Sequence, residues 1–163
     1  MYHKGDYVVY KRDVCKVNGI TEKKFNNMDY YSLSPVLDET LKIDVPVDNK
    51  LGLMRNLITK EELDNIIKKI PSIKPLSTTD KQIETEYKKL MNSGTHEDLI
   101  KIIKTTYLRN KERLDNNKKI GDKDNSYFEL AEKYLYTEFM IVLGISFDET
   151  KEYVISKVKE VVK

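Results

Sequence analysis

Residue types that could do catalytic or metal chemistry are few in this chain. The only histidines are His3 and His96, and the single cysteine is Cys15. Neither histidine has a second histidine four residues away or a cysteine pair nearby, which are spacings that zinc sites use. We therefore predict that both histidines are surface or capping residues. Cys15 lies in a β-rich segment and is predicted to be a small apolar core residue.

Phosphate-binding loops are not indicated either. The sequence contains neither a GxGxxG nor a GxxxxGK[ST] pattern, and these are the glycine-rich loops that hold nucleotide phosphates. The acidic pairs Glu61-Glu62 and Glu84 with Glu86 fall in helical patterns and are interpreted as solvated faces. The prediction is a non-enzymatic binding protein with no catalytic residue, no metal and no cofactor.

A basic run is the strongest binding signal in the sequence. Residues 101–119 carry seven Lys and Arg residues and only two carboxylates, in a chain whose net charge is +2. On a helix, at 100° per residue, four of the lysines fall within an arc of roughly 100°. Such a stripe can bind DNA phosphates without reading bases, and an ordinary solvated helix side is the alternative. The predicted DNA-binding residues are Lys101, Lys104, Arg109, Lys111, Arg113 and Lys118.

The first part of the chain has the pattern of short strands. Residues 7–10, 14–17, 30–33 and 41–45 are rich in β-branched and aromatic residues, and turn pairs such as Asn18-Gly19 and Asn26-Asn27 separate them. Four or five short strands in under 60 residues predict a small all-β barrel of the SH3 or Tudor type over residues 1–58. Either Tyr30 or Tyr31 must face inward, and alternation leaves open which one.

From residue 59 to 163 the pattern is helical. Thr59 with Glu62, and Ser146 with Glu149, have capping-box spacing. Gly94 and Gly144 are placed to end helices. Five helices are predicted, beginning near residues 59, 80, 95, 125 and 146, and the core face of the third is Leu99, Ile103, Tyr107 and Leu114. The fold class is therefore α+β, with a barrel first and an all-α domain of about five helices second.

Targeting signals are not evident in the sequence. No segment approaches the roughly 18 uninterrupted apolar residues of a membrane span. Residues 1–6 also lack the apolar core of a signal peptide. A cytoplasmic protein with no membrane partner is the expectation.

Ordered short motifs carry a family resemblance. GDYVVY at 5–10 is followed by VCKV at 14–17, YYSL at 30–33 and VPVDN at 45–49, and then by Arg55. The second half adds NSG at 92–94 and YLRN at 107–110. In order and spacing this set resembles the CarD/CdnL family of bacterial transcription regulators, of the clostridial type, over nearly the whole chain.

The resemblance implies a function at promoters. Members of the family bind a lobe of the RNA polymerase β subunit with the Tudor-like domain and promoter DNA with the helical domain, which stabilises the open complex in transcription initiation. It implies no cofactor and a monomer. The implied polymerase-binding residues are Lys23, Tyr30, Lys42 and Arg55.

One departure from the family concerns DNA. The family often wedges a tryptophan into the minor groove, but this chain has no tryptophan and Asp80 falls near the wedge position. An acid cannot unstack a base step as an apolar ring can. The alternative is therefore a protein-interaction adaptor that has the fold but does not bind DNA.

Overall fold

The protein forms two compact units in a computed structural model, Met1–Leu57 and a second unit from Ile58 onward. The structure describes residues 1–162, apart from the side chains of residues 23 and 24. The first unit is a sheet and the second is helical. The predicted α+β class is confirmed.

The first unit is one antiparallel sheet of five strands: β1 (Tyr7–Tyr10), β2 (Asp13–Phe25), β3 (Met28–Pro35), β4 (Ile43–Pro46) and β5 (Met54–Arg55). Their order in the sheet is β4-β3-β2-β1-β5. Within the described residues β4 and β5 do not pair, so the sheet is open and these strands are its two edges. The closed barrel that the sequence predicted is not found there.

The turn prediction was correct at one position and wrong at another. Asn26 and Asn27 join β2 to β3 with φ of 51° and 60°, the left-handed pair of a tight hairpin. Asn18-Gly19 is not a turn, because the β2–β3 register shifts between Val17 and Gly19 and the chain continues as β2. The extra residue is a bulge, and Asn18 donates from Nδ2 to Ser34 Oγ at 2.8 Å.

Alternation along the strands builds the sheet's core. Val8, Val17, Tyr31 and Leu33 are each at most 2% exposed. Cys15 belongs to the same cluster and is fully buried, which confirms its prediction as a core residue.

The second unit contains five helices, and local signals set most of their ends. Both predicted capping boxes are present, at Thr59 with Glu62 and at Ser146 with Glu149. Gly94 and Gly144 end their helices with φ of 62° and 68°, which glycine adopts without strain. The helices are α1 (Lys60–Lys69), α2 (Ile83–Ser93), α3 (His96–Asp115), α4 (Asp122–Leu143) and α5 (Phe147–Val162), with a single 3-10 turn at Ile70–Ser72 after α1.

The predicted core face of α3 is wrong in its second half. Leu99 is buried, but Tyr107 and Leu114 are 57% and 58% exposed. Steps of four residues drift around a helix of 3.6 residues per turn. The buried side instead follows alternating steps of three and four, through Ile102 and Thr106. Continued along α3, that side reaches Arg109 and Arg113.

The helical core is mainly apolar, with a few buried polar side chains such as Thr106, Asp124 and Glu138. It is centred on Leu63, Ile67, Tyr87, Leu135 and Phe139, each at most 1% exposed. None of the described helices is long and apolar enough to cross a membrane.

Candidate interfaces of the helical and sheet units

Two of the predicted DNA-binding residues converge on a buried carboxylate. Asp124, in the first turn of α4, is 2% exposed. Its Oδ2 accepts hydrogen bonds from Arg109 Nε at 2.9 Å and Arg113 Nη1 at 2.6 Å. Its Oδ1 accepts from the hydroxyl of Tyr87 at 2.7 Å. These bonds tie α2, α3 and the start of α4 together, so the two arginines have a structural role.

The ionisation of Asp124 reflects this environment. Burial by itself would raise the pKa of the carboxyl, but the hydrogen bonds from Tyr87, Arg113 and Arg109 outweigh it, so the pKa lies below its ordinary value. The pKa of Tyr87 is raised, first by burial and then by its bond to the carboxylate. Asp124 is therefore charged at neutral pH, and its buried charge is compensated by two cations.

Asn110 and Gly121 hold the second arginine in place. Asn110 Oδ1 accepts from Arg113 Nη1 at 2.6 Å and from the Gly121 amide at 2.9 Å. A Cβ atom on Gly121 would lie 2.7 Å from Arg113 Nη1 and 2.8 Å from its Cζ. A larger residue here would have to displace the Arg113 guanidinium from its hydrogen bonds, whereas the backbone angle of Gly121 suits any residue.

An exposed carboxylate covers the outer side of this cluster. Asp80 Oδ1 lies 2.9 Å from Arg109 Nη1, although the Asp80 side chain is 89% exposed. The two residues help to form an open pocket, the arginine pocket, at the C-terminal end of α3. Its lining residues are Asp80, Arg109, Glu112, Arg113, Asn116 and Lys118.

Lys104 also has a structural role. Its ammonium donates to the carbonyl of Ile70 and, at 2.7 Å, to that of Ile73. These carbonyls follow the end of α1, and that of Ile70 also accepts the Ile73 amide at 3.1 Å. Burial lowers the pKa of Lys104. Its side chain therefore fixes the connector after α1 and is not directed to solvent.

A second cationic surface involves residues that the sequence analysis did not select. Lys69, Lys74 and Lys101 line a cleft between the end of α1 and the start of α3, together with His96 and Glu97. We call it the lysine cleft. The three lysines form no ion pair with another side chain in the described part of the chain. Lys69 and Lys74 lie outside the basic run of residues 101–119. Their distance from Lys101 along the sequence therefore gave no sign that the three lysines share one cleft.

His96 is more buried than a surface residue. Its Nε2 lies 2.8 Å from Glu138 Oε1, and the two side chains are 19% and 4% exposed. The other oxygen of Glu138 accepts the Ile58 amide at 2.9 Å. No group of three or more potential metal ligands occurs among residues 1–162.

The six predicted DNA-binding residues are thus divided between different environments. Lys101 lies in the lysine cleft, Lys104 closes the α1 connector, and Arg109, Arg113 and Lys118 line the arginine pocket. Lys111 is exposed on α3. Lys118 follows the end of α3 at Asp115, so the helical arc that grouped it with the other lysines does not extend to it.

The predicted polymerase-binding residues are separated within the sheet. Lys42 precedes the edge strand β4, and Arg55 lies in β5, the opposite edge. Tyr30 is half-buried on β3, paired with Pro46 of β4. The side chain of Lys23 lies outside the described residues. Only Tyr30 and Lys42 are therefore near the same edge.

Lys42 also contributes to a basic pocket on the sheet unit. Its ammonium donates to Ser34 Oγ at 3.0 Å. Lys4 and Lys16 line the same pocket, with Glu39 as the acidic lining residue.

Comparison with known proteins adds no assignment. No model of a known protein family matches the chain, and no curated protein matches its sequence. These comparisons therefore place the chain in no family.

Proposed function

We propose that the protein is a non-enzymatic bacterial transcription regulator of the CarD type. Its sheet unit serves as a Tudor-like domain that binds the RNA polymerase β subunit, and its helical unit binds promoter DNA through phosphates and modulates open-complex stability. The observation that carries the proposal is the combination of an open sheet with two unpaired edge strands among the described residues and a helical unit with a cleft lined by three lysines that form no ion pair there. The ordered sequence motifs supply the identity of the partners.

The β4 edge is the better candidate for the polymerase contact. An open edge can accept a strand from a partner through main-chain hydrogen bonds. β4 has four residues, whereas β5 has two. Pro46 in β4 lacks a backbone donor, which is tolerated at an edge. Tyr30 and Lys42 flank this edge and can contribute side-chain contacts.

The lysine cleft is the better candidate for the DNA contact. Lys69, Lys74 and Lys101 can each contact a phosphate, because no described carboxylate forms an ion pair with them. Phosphate contacts of this kind are independent of sequence and weaken as salt increases. Arg109 and Arg113 contribute less than the sequence suggested, because Asp124 already accepts their hydrogen bonds.

Capture of core RNA polymerase tests the protein contact. The two charge reversals Lys42→Glu and Arg55→Glu are compared separately, because they alter opposite edges of the sheet. We expect wild-type protein and Arg55→Glu to capture polymerase and Lys42→Glu to capture less. Loss with Arg55→Glu alone would move the contact to the β5 edge. No capture by the wild type would refute the polymerase function.

A salt titration tests the DNA contact. We expect Lys69→Gln/Lys74→Gln/Lys101→Gln to weaken binding to a forked promoter fragment. The slope of log K against log salt should become shallower by roughly 0.9 for each phosphate that the variant no longer neutralises. The matched control is Lys89→Gln/Lys133→Gln/Lys159→Gln, three exposed lysines on α2, α4 and α5. Equal weakening in both variants would show that only net charge matters.

A second function, an adaptor that binds protein but not DNA, has one specific observation in its favour. Lys104, Arg109 and Arg113, half of the predicted DNA-binding set, form hydrogen bonds within the helical unit. Polymerase capture, together with no salt-dependent binding of the wild type to the promoter fragment, would favour this adaptor.

A further inference from the structure

We infer that Arg109, Arg113 and Lys118 form an oxyanion site that Asp80 occupies within the chain, and that a phosphate group of nucleic acid displaces Asp80 from it. Asp80 is then an internal competitor that lowers DNA affinity. The identity of the ligand rests on the proposed DNA-binding function, whereas the existence of the site rests on the geometry of the arginine pocket.

Charge balance within the cluster leaves a place for a second anion. Arg109 and Arg113 share one buried carboxylate, that of Asp124, so two positive charges face one negative charge. Asp80 supplies the second negative charge from the outer side. When the buried Asp124 is counted together with the lining residues of the arginine pocket, three cations face the carboxylates of Asp80, Glu112 and Asp124. This group is neutral with Asp80 bound and carries one positive charge when Asp80 leaves.

Asp80 is held weakly enough to exchange. Its side chain is 89% exposed, and it lies in the irregular segment between Ser72 and the start of α2. Its one ion pair in the described part of the chain is with Arg109. Exposed pairs of this kind contribute little to stability because water and salt compete with them. Displacing Asp80 therefore costs little, whereas displacing the buried Asp124 would cost much.

A phosphodiester suits the vacated position. Guanidinium groups bind phosphate oxygens through charge-assisted hydrogen bonds in a planar fork. Arg109 Nη1, now bonded to Asp80, faces the pocket. The ammonium of Lys118 forms no ion pair in the described chain and can add a second contact.

The test compares Asp80→Asn with Glu152→Gln for binding to a short DNA duplex. Glu152 is exposed on α5 and forms no ion pair with any described residue, so both variants remove one exposed negative charge. We expect Asp80→Asn to tighten binding roughly two- to fivefold, with a salt slope steeper by about one phosphate contact. Glu152→Gln should change affinity much less. Equal changes in the two variants would overturn the inference.

A second variant locates the effect. Lys118→Gln in the Asp80→Asn background should remove part of the gain in affinity, whereas Lys118→Gln in the wild-type background should have a smaller effect because Asp80 still occupies the pocket. Equal effects of Lys118→Gln in both backgrounds would show that the pocket is not the phosphate site. Circular dichroism of each variant verifies that the helices are intact.

Inorganic pyrophosphate separates this inference from the proposed function. We expect it to shift the side-chain NMR signals of Arg109 and Arg113 at lower concentration in Asp80→Asn than in the wild type. No shift in either protein would overturn the oxyanion site even if DNA binds elsewhere. A shift in Asp80→Asn combined with no DNA binding by the wild type would support the site and refute the proposed DNA function.

Discussion

Replacing the buried carboxylate by an amide, Asp124→Asn, is the sharpest test of the helical unit. The substitution keeps the shape of the side chain but removes the charge that faces Arg109 and Arg113. Both guanidiniums are then left without a buried counter-charge, at side-chain exposures of 24% and 29%. One of the two carboxylate oxygens, which accept from Tyr87, Arg109 and Arg113, becomes an NH2 group that cannot accept a hydrogen bond. We therefore expect a large loss of stability.

The magnitude follows from the burial of the partners. Removing one member of a buried ion pair typically costs about 3–5 kcal/mol, because the remaining charge is desolvated and uncompensated. Water reaches part of Arg109 and Arg113, and Asp80 still neutralises Arg109 from outside. We therefore expect a loss of about 2–4 kcal/mol in the free energy of unfolding.

The assay is urea unfolding followed by far-UV circular dichroism, which reports mainly on the helices. Asp80→Asn is the matched control, because it removes a carboxylate from the same arginine at an exposed position, and it should cost only a small fraction of the loss in Asp124→Asn. A loss of less than about 1 kcal/mol in Asp124→Asn, or an exposed substitution as costly as the buried one, would refute the structural role of Asp124.

Three further results are expected. The pKa of Asp124 is lowered on folding, so the stabilisation by its carboxylate is present above about pH 4 and is lost as pH falls through the folded pKa. In urea titrations the difference in unfolding free energy between wild type and Asp124→Asn should therefore shrink in acid. A difference that stays constant with pH would contradict this. Gly121→Ala should lower the free energy of unfolding by about 1–3 kcal/mol, as at other overpacked sites, because its Cβ meets the Arg113 guanidinium. An unchanged urea midpoint would show that the guanidinium moves freely. Burial, and after it the charge of Asp13, raises the pKa of the Cys15 thiol to about 12. An aromatic disulfide reagent at about pH 8 should therefore label Cys15 only as fast as the protein unfolds. Rapid labelling of the native protein would contradict the burial of Cys15.

Helix ends were predictable from the sequence because capping is local. Thr59 with Glu62 and Ser146 with Glu149 satisfy each other's backbone donors within one turn. A glycine ends α4 through its own left-handed conformation at Gly144. The order of strands before helices was predictable for the same reason, since period-two and helical patterns lie within single segments.

The closure of the sheet and the choice between neighbouring tyrosines were not predictable in this way. Alternation requires one of Tyr30 and Tyr31 to be buried, but only the pairing of β3 with β2 and β4 selects Tyr31, which is 2% exposed. Likewise, a count of strands predicts a small β domain, whereas the absence of pairing between β4 and β5 among the described residues depends on the path of the whole unit.

For the candidate site, too, local features were predictable from the sequence and contacts between segments were not. The basic character of α3 and the positions of its ends could be predicted from the sequence, since charge and capping belong to one segment. Which cations are available to a partner depends instead on how the helices pack. Asp124 reaches Arg109 across 15 residues, and the carbonyl of Ile70 binds Lys104 across 34. A buried carboxylate or a backbone carbonyl of another segment binds a cation of α3 only when packing brings it near, so no pattern within α3 reveals it.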